Sequence, residues 1–244
     1  MLTLAVVLIF LVSMLFAMLG MGGGMLHVPI LLWIGYDLKT VAQPLGILLN
    51  GLTSLMALII YWRHGLVDWK GSLPMAITAL ALAPVGAIVA KTIPTQVLMG
   101  IFIAVIVLAS LRTLQSLRQP EPTDKATGRR WIWASLGVGL AALAGGMLGL
   151  GGGTFISPLL MWMGYPTKKA VATTAYIVTF SSFSGFLGRL PYFKAPDLLV
   201  VVLSTTVLMA AGVGSQLMAT RAKPKWIKTA YAALLILVGL KLAL

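Results

Sequence analysis

Two glycine-rich turns hold the residues best suited to chemistry in this sequence. They read GMGGG at Gly20–Gly24 and GLGGG at Gly149–Gly153. Glycine lets a chain turn sharply and leaves backbone N–H groups uncovered by side chains. Successive free N–H groups at the start of a helix form an anion site, helped by the helix dipole. On that reasoning Gly22, Gly23 and Gly24 in the first turn, and Gly151, Gly152 and Gly153 in the second, are expected to bind a substrate anion. The competing reading is a packing motif, since small residues at this spacing also let membrane helices touch. Pro29 and Pro158, just beyond each turn, favour a helix broken at membrane depth.

Neutral donors follow each turn: Gln43, Asn50, Thr53 and Ser54 in the first half, and Thr173, Thr174, Ser181, Ser182, Ser184 and Gln216 in the second. A cavity of hydroxyls, amides and N–H groups suits a small anion. Taken singly, each hydroxyl could equally bond its own helix. The Thr173–Thr174 pair is the best candidate among them. The five acids, Asp37, Asp68, Glu121, Asp124 and Asp197, all fall in loops or at the ends of apolar runs. That argues against a cation channel or a carboxylate proton relay, which place acids inside the membrane. It also removes paired carboxylates for acid–base catalysis. With no cysteine, disulfides and thiolate metal sites are excluded. No catalytic residue, metal site or cofactor is expected.

His27 is the one titratable residue near the proposed site. It is read as a protonation site or, by preference, a neutral hydrogen-bonding group. Tyr36 and Tyr165 follow the turns and could gate a cavity or sit in an interfacial belt. Arg189 ends an apolar run and could attract anions or simply snorkel.

These groups are set in an apolar chain. Of 244 residues, 59% are hydrophobic and 9% charged, where a soluble domain carries about a quarter charged. Apolar runs cover Leu2–Leu19, Met25–Trp33, Val41–Trp62, Ser72–Ala90, Thr95–Leu111, Trp131–Leu148, Thr154–Trp162, Ala170–Leu187, Leu198–Met218 and Trp226–Leu244. The length allows about eight helical spans. The net charge of +13 sits in the breaks between runs, where it orients a membrane protein rather than gripping nucleic acid. A signal peptide is rejected for the first run, which lacks a basic leading region.

The sequence is also duplicated. MLGMGGGMLHVPILLWIGYDLK, from Met18 to Lys39, aligns without gaps on MLGLGGGTFISPLLMWMGYPTK, from Met147 to Lys168. Such duplication is a mark of secondary transporters. If each glycine turn is the tip of a re-entrant pair, thirteen of the 18 Lys and Arg lie on one face. If each turn merely kinks a crossing helix, the split is ten to eight. The positive-inside rule prefers the first arrangement. The expected fold is therefore an all-α polytopic membrane protein of two inverted repeats. Each repeat is a glycine-broken re-entrant helix pair plus three membrane-spanning helices. The first repeat covers 1–111, a cytoplasmic linker 112–130 and the second repeat 131–244, with both termini outside.

With these motifs in place, the chain resembles the sulfite exporter TauE/SafE family, also called the toluene-sulfonate uptake permease family. MLGMGGGMLHVPILL and MLGLGGGTFISPLL carry the resemblance, and GYDLKTVA and GYPTKKAVATT add to it. The resemblance implies a multi-pass carrier in the bacterial inner membrane for sulfite, thiosulfate, sulfoacetate or related organosulfonates. It also implies that the glycine turns and Thr173–Thr174 line the site. The first repeat departs from that pattern with Gln43–Pro44 in place of the threonine pair, and Gln43 is taken as a candidate there. The expected partners are a small sulfur anion and the bilayer, with a homo-oligomer left open and no nucleic acid. The alternatives are a permease subunit needing a partner ATPase, since the chain has no GxxxxGK[ST] motif of its own, and an intramembrane enzyme, which lacks a nucleophile–base constellation.

Overall fold

Long apolar segments with few breakers must satisfy their backbone groups internally, and in a membrane the helix is the simplest way. The structure, a computed structural model, describes residues 2–90, 92–94, 97, 100, 130–223, 226 and 229. Among these there are eight α-helices. In the first half they are α1 (Leu2–Met18), α2 (Gly24–Trp33), α3 (Gln43–Arg63) and α4 (Trp69–Val89). In the second half they are α5 (Arg130–Leu148), α6 (Gly153–Trp162), α7 (Thr167–Leu187) and α8 (Asp197–Thr220). Nearly all of the runs Thr95–Leu111 and Trp226–Leu244 and of the 112–130 linker lies outside the described residues.

Local chemistry sets the ends of these helices. Asp37 precedes a π-helical turn, Leu38–Ala42, that leads into α3. Its side chain accepts from the Lys39 and Thr40 amides and the Thr40 hydroxyl. The Thr40 hydroxyl, with the amides, holds the exposed Asp37 carboxyl below its ordinary value. Asp68 caps α4 by accepting from the Gly71 amide at 3.0 Å. The glycine turns separate α1 from α2 and α5 from α6 as the duplication requires. Gly20, Gly22 and Gly23 have φ of 70°, 83° and 98°, and Gly149, Gly151 and Gly152 have 78°, 68° and 81°. Side chains rarely tolerate that left-handed backbone. At about 1.5 Å per residue, the ten-residue helices α2 and α6 reach roughly 15 Å, half a hydrocarbon core. Neither crosses a bilayer alone.

Among the described residues, four helical segments are long and apolar enough to cross a membrane: 38–63, α4, α7 and α8. Burial divides them into two classes. In α7 and the 38–63 segment, 72% and 61% of the most apolar stretch is buried, against 39% in α4 and 44% in α8. The two central helices α3 and α7 pack on each other and carry most of the buried hydroxyls and amides. The outer helices turn large apolar side chains outward, as Leu4, Val7, Leu11 and Leu15 do on α1 and Leu198, Val201 and Met209 on α8. That is the surface a lipid-embedded protein presents.

The halves are exchanged in their packing. Helix α1 packs against α8, and α5 against α4, while α3 packs on α8 as α7 packs on α4. Each outer pair crosses closely. A Cβ at Gly214 would stand 2.0 Å from the Met14 carbonyl oxygen, and one at Gly86 would stand 2.0 Å from that of Leu143. Met14 and Leu143 are matching residues of the two repeats.

Candidate functional site

The two glycine breaks meet at Asn50, in the buried middle of α3. Its Oδ1 accepts from the Gly24 amide at 2.6 Å. Its Nδ2 donates to the Ser182 hydroxyl of α7 at 2.8 Å. One side chain therefore caps the start of α2 and ties it to the opposite repeat. The glycines admit this contact because nothing larger fits. A Cβ at Gly22 would stand 2.5 Å from both Asn50 Oδ1 and Ser54 Oγ. A Cβ at Gly151 would stand 2.2 Å from Asn50 Nδ2 and Ser182 Oγ. Gly153 lies against the Met21 backbone, and Gly24 against the Leu150 Cα. The tips touch each other directly.

Around this junction the polar groups are buried and neutral. Ser181 donates to the Gly151 carbonyl at 2.7 Å. Ser157 donates to the Thr174 hydroxyl at 3.0 Å and to the Leu19 carbonyl at 3.3 Å. The Ser54 hydroxyl, beside Gly22, is 1% exposed and has no hydrogen-bond partner among the described residues. Buried polar groups are nearly always paired, so an orphaned one asks for an explanation. His27 lies under Gly23. Its Nε2 shares a 2.8 Å hydrogen bond with Ser13, and its Nδ1 has no partner among the described residues.

The second break has a further neighbour. Arg189, just past the end of α7, is 6% exposed and does not snorkel. It donates to Gln43 Oε1 at 2.7 Å, the Gly146 carbonyl at 2.8 Å and the Met147 carbonyl at 2.9 Å. Gln43 itself stands beside Gly149.

The remaining candidates fall into separate places. Thr173 accepts from the Asp68 amide at 3.2 Å, and Tyr165 donates to Asp68 Oδ2 at 3.0 Å. Those two residues form a corner between the α3–α4 loop and the second repeat. Thr174 reaches the first break through Ser157. Gly152 sits over Ala141 of its own hairpin. Tyr36, half-buried after α2, forms no hydrogen bond through its hydroxyl among the described residues. Thus Gly22, Gly24 and Gly151 come together at Asn50, while Gln43 joins Arg189.

The sequence reading named Asn50, Ser54 and Ser182 only as members of a pool of donors. Nothing in the local sequence marks Asn50 as the residue where the breaks cross. The available signal was its type: it is the only asparagine in the chain, set within an apolar run. A groove of about 300 Å³ lies elsewhere, lined by Trp133, Ala134, Leu159, Trp162 and Met163. It is apolar and holds none of the expected residues. Among the described residues no cluster of His, Asp or Glu could hold a metal ion.

Known proteins place this architecture in context. The profile of the sulfite exporter TauE/SafE family matches residues 5–242. A relative in Bacillus subtilis, the probable membrane transporter protein YunE, is 29% identical over 71% of this chain and 72% of its own length. A probable membrane transporter protein of Methanocaldococcus jannaschii is 27% identical over 78% of this chain and 72% of its own. Sulfite exporter TauE/SafE family protein 5 of Arabidopsis thaliana is 44% identical over 24% of this chain and 12% of its own. No solved structure matches. A match over nearly the whole chain, with membrane transporters as relatives, makes this multi-pass membrane protein a member of the sulfite exporter TauE/SafE family.

Proposed function

We infer that the chain is a secondary transporter for small sulfur-containing anions: sulfite, thiosulfate, sulfoacetate or another organosulfonate. The observation that carries the reading is the junction at Asn50. Two helix breaks meet there among buried hydroxyls and amides. Among the described residues the Ser54 hydroxyl is left unpartnered beside Gly22. No described carboxylate bonds to this cluster. An anion gains a charge-assisted hydrogen bond from each donor it meets, whereas a cation finds no counter-charge. The choice of sulfur follows the family. The physics selects a compact anion, and the generic donors should discriminate weakly among anions of similar size.

On this reading the two repeats are inverted in a bacterial inner membrane, with the breaks near its midplane. The 112–130 linker is cytoplasmic and both termini are outside. Alkaline phosphatase fused after Leu244 should then be active, and fused within the linker inactive; the reverse pattern refutes the inversion.

The functional test is flux in proteoliposomes. Labelled sulfite or thiosulfate should enter saturably and be competed by unlabelled sulfonates, while choline has no effect. Saturable transport of a cation, or no binding of any sulfur anion at millimolar concentration, contradicts the reading.

A further inference from the structure

The same backbone position is capped in both repeats, by different chemistry. Ala17 and Gly146 are matching residues at the ends of α1 and α5. The Ala17 carbonyl accepts from the Tyr61 hydroxyl. The Gly146 carbonyl accepts from Arg189. A neutral phenol therefore suffices to satisfy such a carbonyl inside this fold. The second repeat places a guanidinium there instead, buried where an ion is costly.

All three described partners of that guanidinium, Gln43 Oε1 and the carbonyls of Gly146 and Met147, are neutral. The negative end of the α5 dipole offsets part of the charge. No ion pair to Arg189 forms among the described residues. Its Nε, buried, has no partner among the described residues. A buried cation with a spare donor and no counter-ion is an incomplete pair.

We propose that Arg189 is the anion-docking cation of the transport path, and that an oxyanion pairs with its guanidinium through the unpartnered Nε–H beside the Gly149 break. The proposal rests on the transporter reading above and adds to it the residue that supplies fixed positive charge. Asn50 and the glycine N–H groups offer only dipoles. Arg189 offers a full charge, which selects an anion before geometry is considered. Gln43 holds the guanidinium from the opposite repeat, so the docking point is shared between the halves.

The test uses equilibrium binding of radiolabelled sulfite to the purified full-length chain, comparing wild type with Arg189→Gln, Arg189→Lys and Tyr61→Phe. Loss of a charge-assisted hydrogen bond should weaken sulfite binding about tenfold or more in Arg189→Gln. Arg189→Lys keeps the charge and should retain most of the affinity, although one ammonium cannot replace the whole fork. Tyr61→Phe removes the matching neutral cap and should bind like wild type.

Equal losses in Arg189→Gln and Arg189→Lys, or wild-type affinity in a folded Arg189→Gln, would show that Arg189 is only a cap and overturn the proposal. If Arg189→Gln does not fold, phenylglyoxal modification of the wild-type protein decides. Sulfite should slow modification at Arg189, and an unchanged rate refutes docking there. Wild-type protein that binds neither sulfite, thiosulfate nor a sulfonate at millimolar concentration defeats the sulfur-anion reading itself. Binding that ignores Arg189 defeats this proposal alone.

Discussion

Two corners of the molecule are built from the same residue types and are held differently. At one, Asp68 accepts from the Tyr165 hydroxyl, and its amide donates to Thr173. At the matching corner stand Asp197, Tyr36 and, in place of Thr173, Pro44. There Tyr36 and Asp197 make no side-chain hydrogen bond among the described residues. What joins the chains is a backbone bond from the Lys194 amide to the Thr40 carbonyl. Duplicated sequence thus does not mean duplicated contact. On the proposed reading, a carrier with inverted repeats needs such inequality, because in any one state its two ends cannot be equivalent.

The same contrast runs inward. Ser13 and His27 bond in the first repeat, and both matching positions are apolar in the second, Ala142 and Ile156. Asn50 caps α2, while its counterpart Thr179 bonds back to its own helix at Ala175. The glycine backbone is what the halves share; the polar groups around it are what they do not.

The largest expected effect comes from attacking the shared element. Leucine at Gly22 or Gly151 must adopt a left-handed backbone, costing about 1–2 kcal/mol, and also displace the Asn50 amide. Flux should fall to background while the protein still reaches the membrane, and Gly23→Leu and Gly152→Leu should behave alike. Gly35 and Gly164 share a φ of 97°, but nothing lies within 4 Å of a Cβ there. Alanine at either position should therefore cost only the backbone strain. Normal flux from Gly23→Leu and Gly152→Leu would reduce the turns to packing devices.

Unequal contacts should give unequal mutants. Tyr165→Phe removes a hydrogen bond to Asp68 and should lower stability by about 1 kcal/mol. Tyr36→Phe should change nothing measurable. Melting of the two variants in the same detergent reads the difference, and equal losses would mean that the second corner is bonded too.

How far the sequence revealed this is uneven. The helix ends, the breaks and the duplication all follow from patterns within one segment. Glycines with positive φ stand in matching turns because only glycine tolerates them. Contacts across the repeats did not follow. The Thr173–Thr174 pair is expected to line the site; the structure engages Thr173 with the Asp68 amide and Thr174 with Ser157. Arg189 was compatible with snorkelling, and its burial depends on Gln43 and the end of α5, far away in the chain. Periodicity reports which face of a helix is apolar, but not which distant residue a side chain meets.

The Ser13–His27 pair yields the sharpest comparison. Ser13→Ala alone leaves His27 Nε2 without its partner and should cost about 1–3 kcal/mol. Adding His27→Ile copies the second repeat and should recover much of that loss, because both polar groups are then gone. A double-mutant cycle measures the coupling. Additive losses would mean that the pair does not act as a pair, and loss of flux with stability retained would assign His27 a part in transport.

The central claim is that a small anion passes the junction at Asn50, and Asn50→Asp tests it most directly. The substitution is nearly isosteric. A carboxylate can still accept from the Gly24 amide, and the Ser182 hydroxyl can turn to donate to it. What changes is the charge at the junction, from zero to negative. Labelled-sulfite flux should fall to background in reconstituted Asn50→Asp while the protein remains folded. Wild-type flux through a junction carrying that negative charge would contradict the account.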